Sequence, residues 1–263
     1  LSAEAPGVVA SAATLIQAHA EVVTSNPTRE PDRAVATALK TALARPWGDD
    51  LVETRGALLD AAAALGLEEG RAAARTACKD SNATVRMRAV RALVAYGEAA
   101  ATCPAPDAPG EPAPELAHAA SDARDRRVRV LLDTDAGPLA LRFDPAFAPV
   151  AVARFVALAR AGFYTGVAVH RVVPGFVVQF GDRGGDGYGG SGDLLRCETA
   201  PVPFAPFDVG VALAGRDTGS SQLFVTLART PHLDGEYAWV GRADGDWAGV
   251  TEGDVVQAVR VEE

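Results

Sequence analysis

The chain has 263 residues, of which 48% are hydrophobic and 22% are charged, and its formal net charge is −9. This is the composition of a globular protein long enough for two ordinary domains. The basic residues are scattered, so the sequence lacks the basic patch that binding to nucleic acid or an anionic membrane surface requires. No run of about 18 apolar residues occurs, and we expect no membrane-spanning segment.

The first part of the chain, residues 1–98, is alanine-rich and predicted to be α-helical. Apolar residues recur at helical spacing between breaks such as the one at residues 46–49, which predicts about five helices. The predicted helices cover residues 7–24, 32–45, 49–65 and 67–78, followed by one that starts after a turn at residues 79–82. This last helix has an apolar stripe of Val85, Ala89, Ala92, Leu93 and Tyr96, and its residues Arg86, Arg88 and Arg91 are expected to point outward.

The segment from Asp80 to Gly97 reads D-x-x-x-x-V-R-x-x-A-V-x-A-L-x-x-x-G. It resembles the HEAT-like repeat, in which antiparallel helix pairs stack into a solenoid. The resemblance implies an all-α repeat domain over residues 1–98 and a protein partner bound on its surface. Because repeat arrays need about three units to be stable, we expect this array either to continue before Leu1 or to lean on the second domain.

Residues 99–124 are rich in proline and alanine, which predicts an extended linker between two domains. The cysteines are Cys78, Cys103 and Cys197, without the C-x-x-C spacing of a zinc site, so no metal is expected. Cys78 and Cys103 either form a disulfide or are separate buried thiols, and the second interpretation is favoured. The cysteines therefore do not indicate the cellular compartment.

From residue 125 to residue 263 the hydrophobic period changes to two, which indicates β-strands. A hairpin is predicted from residues 128–132 and 139–143, and a helix from residues 149–161. Further strands are predicted at residues 167–173, 176–180, 209–214, 222–227 and 238–242. A closing strand at residues 254–261 is expected to pair with the one at 128–132, so the order predicts a mainly-β closed barrel with one or two covering helices.

Two motifs carry the functional signal. Residues 169–182 read V-H-R-V-V-P-G-F-V-V-Q-F-G-D, and residues 219–226 read G-S-S-Q-L-F-V-T. Together they resemble the cyclophilin family of peptidyl-prolyl cis/trans isomerases, over about residues 127–263. The resemblance implies a catalytic set of Arg171, Phe176, Gln179 and Gln222, no cofactor, and a substrate groove lined by Val177, Ala212, Leu213, Phe224, His232, Leu233 and Tyr237.

The chemistry of prolyl isomerisation suits these residue types. Rotation about an X–Pro bond meets a barrier of about 20 kcal/mol, because amide resonance gives the C–N bond partial double-bond character. A catalyst needs to bind the twisted amide better than either planar isomer, and it needs no nucleophile or metal. Arg171 offers a fixed, permanently charged set of donors, and apolar residues such as Phe176 seat the proline ring.

Other interpretations are weaker. The glycine-rich segment 184–192 is not followed by the Lys-Ser/Thr of a phosphate-binding loop. A hydrolase built on Ser220 or Ser221 with His232 and Asp234 lacks a nucleophile-elbow sequence. We therefore predict a bacterial-type isomerase that assists protein folding on proline-containing peptides or unfolded clients, in the cytoplasm or in the periplasm and cell envelope. The alternative is a module that binds proline-containing segments with little or no turnover.

Overall fold

The computed structural model describes residues 1, 3–20, 24–25, 30–49, 51–80, 82–99, 103, 114–122 and 126–262. The chain divides into two compact units, Leu1–Pro109 and Gly110–Glu263. The first is helical and the second consists mainly of a β-sheet. Among the described helices, none has the length and apolar character needed to cross a membrane.

The helical unit is built around a central helix. Its helices are α1 (Pro6–Ala18), α2 (Arg33–Leu43), α3 (Val52–Ala64), α4 (Glu68–Ala77) and α5 (Ala83–Ala95). Helix α3 packs against α1, α4 and α5, and most of its residues are buried, including Leu58 and Leu59. Side-chain caps fix two of the helix starts that the sequence predicted: Asp32 accepts from the backbone N–H groups at the start of α2, and Asn82 does so at the start of α5.

The prediction that α1 extends to residue 24 is wrong. Helix α1 ends at Ala18, and Thr24 belongs to a short strand, β1 (Thr24–Ser25), which pairs with β2 (Glu30–Pro31). The predicted break at residues 26–27 lies outside the described residues. Thr24 is β-branched, and such residues favour extended backbone over helix.

The apolar stripe of α5 is confirmed at Val85, Ala89, Ala92 and Leu93, which are all buried. The expectation that Arg88 points outward is wrong. Its Nη1 donates to Oδ2 of the buried Asp60 at 2.8 Å. The arginine stem crosses α3 at a glycine, since a Cβ added to Gly56 would lie 2.4 Å from Cδ of Arg88. A buried carboxylate on α3 therefore determines where this arginine points.

The cysteines of the helical unit form a disulfide, so the favoured interpretation of two separate thiols is wrong. Cys78 follows the end of α4 and is bonded to Cys103, with their Cα atoms 5.0 Å apart. Both pack on the core cluster that includes Leu59 and Leu93. The disulfide therefore holds Cys103 beside the end of α4 on this core.

We predict that the double substitution Cys78→Ser and Cys103→Ser lowers the free energy of unfolding of the helical unit by about 2–4 kcal/mol, because the bond closes a loop in the unfolded chain. Denaturant unfolding followed by circular dichroism at the helical band checks this. Cys197→Ser, which removes the thiol that is not disulfide-bonded, is the control. Equal stability of the double variant and the control would contradict the prediction.

The second unit is an antiparallel, curled eight-stranded sheet, a half-barrel in form. Its strands are β3 (Val128–Thr134), β4 (Gly137–Phe143), β5 (Val169–Val173), β6 (Val177–Phe180), β7 (Asp208–Val211), β8 (Leu223–Thr226), β9 (Trp239–Asp244) and β10 (Val256–Glu262). Their order in the sheet is β10, β3, β4, β9, β7, β8, β6, β5. The predicted strands are confirmed to within a few residues, and so is the pairing of the last strand with the first.

The edges of this sheet meet at one end only. Val169 N–H, at the start of β5, donates to the carbonyl of Asp254 at 2.8 Å, and Val256 N–H, at the start of β10, donates to the carbonyl of Val167 at 2.9 Å. Helix α7 (Pro149–Arg160) packs its buried face into the same core as the inward residues of the strands. The predicted covering helix is therefore confirmed. The predicted closed barrel is wrong, because the sheet is a half-barrel whose edge strands are hydrogen-bonded at one end.

The prediction of an extended linker through residue 124 is wrong in its last part, because Pro114–Asp122 is a helix, α6. The helix packs against α7, and its Ala120 is buried. Proline is tolerated in the first turn of a helix, where its missing N–H group is not needed, so Pro114 can begin α6. The prolines before Pro114 in this segment lie outside the described residues.

Candidate active site

The candidate site lies on the outward face of five neighbouring strands. Since successive side chains on a strand point to opposite faces, residues such as Val178 and Leu223 fill the core while their neighbours face out. The strand register places one outward row across the sheet, with each member opposite the next: Arg171, Gln179, Phe224, Gly210 and Trp239. Residues distant in the sequence thus become cross-strand neighbours.

A chain of hydrogen bonds runs from the arginine to the next loop. Arg171 Nη1 donates to Oε1 of Gln179 at 3.2 Å, and Gln179 Nε2 donates to Oε1 of Gln222 at 2.7 Å. Gln222 Nε2 donates in turn to the carbonyls of Gly187 and Gly189, at 2.8 and 2.7 Å. The two amides therefore fix the direction in which the guanidinium of Arg171 is held.

The loop at the end of this chain is fixed by a buried carboxylate. Asp182 is 1% exposed and accepts from the N–H groups of Gly184, Asp186 and Gly187 at 2.8, 3.1 and 2.8 Å. Burial acts to raise the pKa of Asp182, but the backbone donors outweigh it and the pKa is lowered. A Cβ on Gly189 would lie 2.3 Å from Oδ1 of Asp182. The glycines of residues 184–189 therefore let the loop close around the carboxylate.

An apolar cluster adjoins the arginine. Its buried members are Val177, Phe204, Phe224 and Leu233, and its partly buried members are Phe176, Ala212, Tyr237 and Trp239. Phe224 stacks edge-on against Tyr237 with ring centroids 5.5 Å apart. The guanidinium of Arg171 lies 5.8 Å from the ring centroid of Phe176. A charged donor and an apolar seat are thus side by side, as binding of a proline ring and its amide requires.

Two of the proposed groove residues differ in their surroundings. His232 is exposed, at the rim of the cluster, with its ring 5.2 Å from that of Phe176. Leu213 does not join the cluster and packs against the main core of the sheet instead. The backbone leaves the strand after Val211, so strict alternation no longer applies at residue 213.

The hydrolase interpretation finds no support in the geometry. Ser221 is fully buried, and its Oγ donates to the carbonyl of Gly181 at 2.7 Å. Asp234 is paired with Arg229 and accepts from the N–H group of Phe204 at 2.8 Å. Serine and aspartate are thus engaged in holding the backbone, and His232 stacks on an aromatic ring.

Three residues of the site escaped the sequence reasoning. Phe204 comes from an irregular segment without periodicity, yet it is fully buried beside Phe224, with ring centroids 5.5 Å apart. Trp239 was assigned only to a strand, although it borders the cluster. Asp182 is the last residue of the first motif, and an aspartate before a glycine-rich segment is a signal of a backbone-binding turn that could have identified its role.

The comparisons with known proteins agree with this geometry. Residues 129–251 match the family model described as cyclophilin type peptidyl-prolyl cis-trans isomerase/CLD. A peptidyl-prolyl cis-trans isomerase of Helicobacter pylori is 41% identical over 135 residues, which cover 49% of this chain and 83% of that protein. Peptidyl-prolyl cis-trans isomerase B of Bacillus subtilis is 40% identical over 133 residues, which cover 49% of this chain and 93% of that protein.

Among solved structures, a cyclophilin type peptidyl-prolyl cis-trans isomerase of Cryptosporidium parvum aligns with a TM-score of 0.48 and 24% identity, covering 52% of this chain and 98% of that one. On the strength of the bacterial relatives, the chain belongs to the cyclophilin-type peptidyl-prolyl isomerase family and is an enzyme of that class.

One titratable group lies against the site without contributing to the apolar cluster. His170 precedes Arg171, and a Cβ on Gly187 would lie 3.2 Å from its Cδ2. Burial lowers the pKa of His170 below its ordinary value of 6.5, and this effect exceeds the opposing influence of Asp182 and Asp186, while Arg171 adds to it. The folded protein thus keeps this imidazole neutral more readily than the unfolded chain does.

We predict that His170 makes the sheet unit less stable in mild acid. The unfolded chain takes up the proton at about pH 6.5 and the folded one only at lower pH, so stability is full above that value and falls as the pH drops through it. Urea unfolding at pH 7.5 and 5.5 measures the difference. His170→Gln should lose less stability between these values than the wild type, and His118→Gln, an exposed change on α6, should behave like the wild type. An unchanged difference in His170→Gln would contradict the prediction.

Proposed function

We propose that the site isomerises X–Pro bonds in extended or unfolded protein segments, and that Arg171 is its catalytic residue. The observation that carries this is the position of the guanidinium, held by Gln179 at the edge of the aromatic cluster. A proline ring seated on Phe176, Phe224 and Leu233 has its amide within reach of this donor.

The proposed mechanism is preferential binding of the twisted amide. When the C–N bond loses its resonance, the nitrogen becomes pyramidal and regains a lone pair that can accept a hydrogen bond from Arg171. The planar isomers present no such acceptor, so the interaction strengthens only at the transition state. A guanidinium fills this role as a hydrogen-bond donor, and no proton transfer is part of the step.

The surrounding residues serve binding and positioning in this proposal. Gln179 and Gln222 hold the guanidinium, and Gln222 also anchors the loop beside it. Val177 and Tyr237 belong to the apolar cluster on which the proline ring would lie, and His232 packs against Phe176 at its rim. Ala212, with its small side chain, lets a peptide backbone approach, whereas we assign Leu213 only a supporting contact through the core.

We predict that Arg171→Ala lowers kcat/KM on a short Xaa-Pro peptide by about 10²-fold or more, in line with the loss of one preorganised donor to a transition state. The thermal midpoint should stay nearly unchanged, because Arg171 is exposed. The kcat/KM of Arg171→Lys should lie between those of the wild type and Arg171→Ala, since lysine keeps the positive charge but lacks the planar set of guanidinium donors. NMR exchange spectroscopy gives the rates.

Arg260→Ala removes an exposed arginine on β10 and is the matched control. The mechanism is wrong if Arg171→Ala unfolds the protein or keeps full activity. The alternative function, a module that binds proline-containing segments with little turnover, gives a different result: the wild-type protein would shift the NMR resonances of the peptide without accelerating cis/trans exchange.

For the helical unit we propose a HEAT-like repeat that recruits client proteins in folding assistance. The support is the repeat-like sequence of residues 80–97 and the antiparallel packing of α4 on α5. The alignments with the bacterial relatives cover 49% of this chain and most of those proteins, and the family model matches residues 129–251. The helices therefore supply something that the isomerase reaction itself does not require. A recruitment surface raises the effective concentration of a client near the site.

We predict that removing residues 1–98 leaves kcat/KM for a short peptide unchanged but slows the refolding of a large client whose folding is limited by proline isomerisation. Refolding followed by fluorescence, at equal enzyme concentrations, measures this. The Arg171→Ala variant of the full chain is the control for recruitment without catalysis. Loss of short-peptide turnover in the shortened protein would overturn the recruitment role.

The compartment is also a proposal. Disulfides persist in oxidising compartments and are rare in the cytosol of most bacteria, so the bond between Cys78 and Cys103 favours the periplasm or cell envelope over the cytoplasm. Thiol labelling of the protein in intact cells distinguishes the two locations, since only a cytoplasmic protein would present all its cysteines as free thiols.

A further inference from the structure

The outward face of the sheet carries a second row of residues beside the first. Beyond a register shift between β7 and β9, the strand pairing places Asp208 opposite Arg242, Arg242 opposite Arg142, and Arg142 opposite Arg129. Three arginines on adjacent strands thus face one another directly. Like charges in this relation destabilise a sheet. Carboxylates offset part of this cost, since Glu262, Asp244 and Asp208 are paired with Arg129, Arg142 and Arg242 respectively.

These arginines line a recess of about 320 Å³ on β3, β4 and β9. Arg127 adds a fourth guanidinium, Asp144 is the one carboxylate in the lining, and Trp239 forms an aromatic wall. The lining thus holds four arginines and one aspartate, and the other carboxylates paired with these arginines, Asp208, Asp244 and Glu262, lie outside it. The exposed aromatic ring of Phe147 packs edge-on against Trp239, with centroids 5.8 Å apart.

Carboxylates at the rim occupy only part of each guanidinium. Arg142 uses Nε toward Asp244 at 2.7 Å, and Arg129 approaches Glu262 at 3.7 Å. Both pairs are about half exposed, and such pairs contribute little to stability. A guanidinium has five N–H donors, so Arg129 and Arg142 retain donors that an incoming carboxylate can engage.

Trp239 links this recess to the site. The same side chain that walls the recess packs against the apolar cluster of Phe224 and Leu233. It also ends the row that begins at Arg171. A peptide that lies across the strands from the cluster therefore passes over Trp239 and reaches the arginines without leaving this face of the sheet.

We propose that the arginine-lined recess binds acidic side chains of the client segment whose proline occupies the site, so that the enzyme prefers prolines flanked by Asp or Glu. The inference rests on the proposed function of the site. Strands lie about 4.8 Å apart, so the arginines of β9 and β3 stand roughly 10 to 19 Å from β8, which an extended chain at about 3.3 Å per residue covers in about three to six residues.

The test uses the full chain and synthetic peptides with one proline. Glutamate is placed at the third to sixth positions either before or after the proline, and matched peptides carry glutamine there. Binding is measured by NMR titration and turnover by NMR exchange. We expect one of the glutamate peptides to bind about three- to tenfold more tightly than its glutamine partner, as a few exposed charge pairs allow, and the preference to fade in high salt.

The variant Arg129→Gln with Arg142→Gln should lose this preference and leave turnover of the glutamine peptides unchanged. Arg160→Gln with Arg260→Gln removes the same charge from exposed positions on α7 and β10, and it should keep the preference. The proposal is overturned if neither glutamate peptide binds better than its partner, or if the preference survives in the first variant.

The proposed function is judged separately, by turnover of the glutamine peptides in the wild-type protein. If that turnover were absent while glutamate still strengthened binding, the proposal that the recess binds acidic side chains would be supported and the catalytic role of the site would be rejected. Should the first variant fail to fold, the salt dependence of the wild-type preference decides, because a preference that high salt leaves intact does not come from the arginines.

Discussion

The site depends on one side-chain amide, that of Gln222. Its oxygen accepts from Gln179, which holds Arg171, and its nitrogen donates to two carbonyls of the loop around Asp182. An amide can do both at once because it carries an acceptor and two donors on one rigid plane. Neither a carboxylate nor an ammonium could replace it, since each offers only one of the two functions. The position of the guanidinium therefore depends on backbone groups that lie in a different part of the chain.

The sheet makes this arrangement rigid because the same strands serve the core and the site. Along β6, Val178 and Phe180 face the core while Val177 and Gln179 face out. A change that shifts the register of β6 by one residue would exchange the two sets. Close packing of the inward side chains therefore also fixes the positions of the outward side chains of the site. Gly210 adds a second constraint, since a Cβ there would lie 2.2 Å from the ring of Phe224.

What the sequence could predict follows from where periodicity and motif spacing operate. The strands and the set of Arg171, Gln179 and Gln222 were predictable, because alternation and the two motifs locate them. The position of Phe204 was not predictable, since it depends on an irregular loop in which the N–H group of Phe204 donates to the side chain of Asp234. Arg88 was misplaced because the pattern of α5 cannot reveal a buried carboxylate on α3. The same holds for the arginine row: its members lie on three strands, and only the register shows that they meet.

The charge of the whole protein limits how such a row can act. A net charge of −9 repels an acidic segment at long range. Salt screens that repulsion beyond a Debye length of about 10 Å at ordinary ionic strength. The attraction of the arginines acts over a few ångströms, after the proline has already found the apolar cluster. An acidic flank therefore extends the lifetime of the bound segment more than it speeds the encounter, and the preference resides in the dissociation rate.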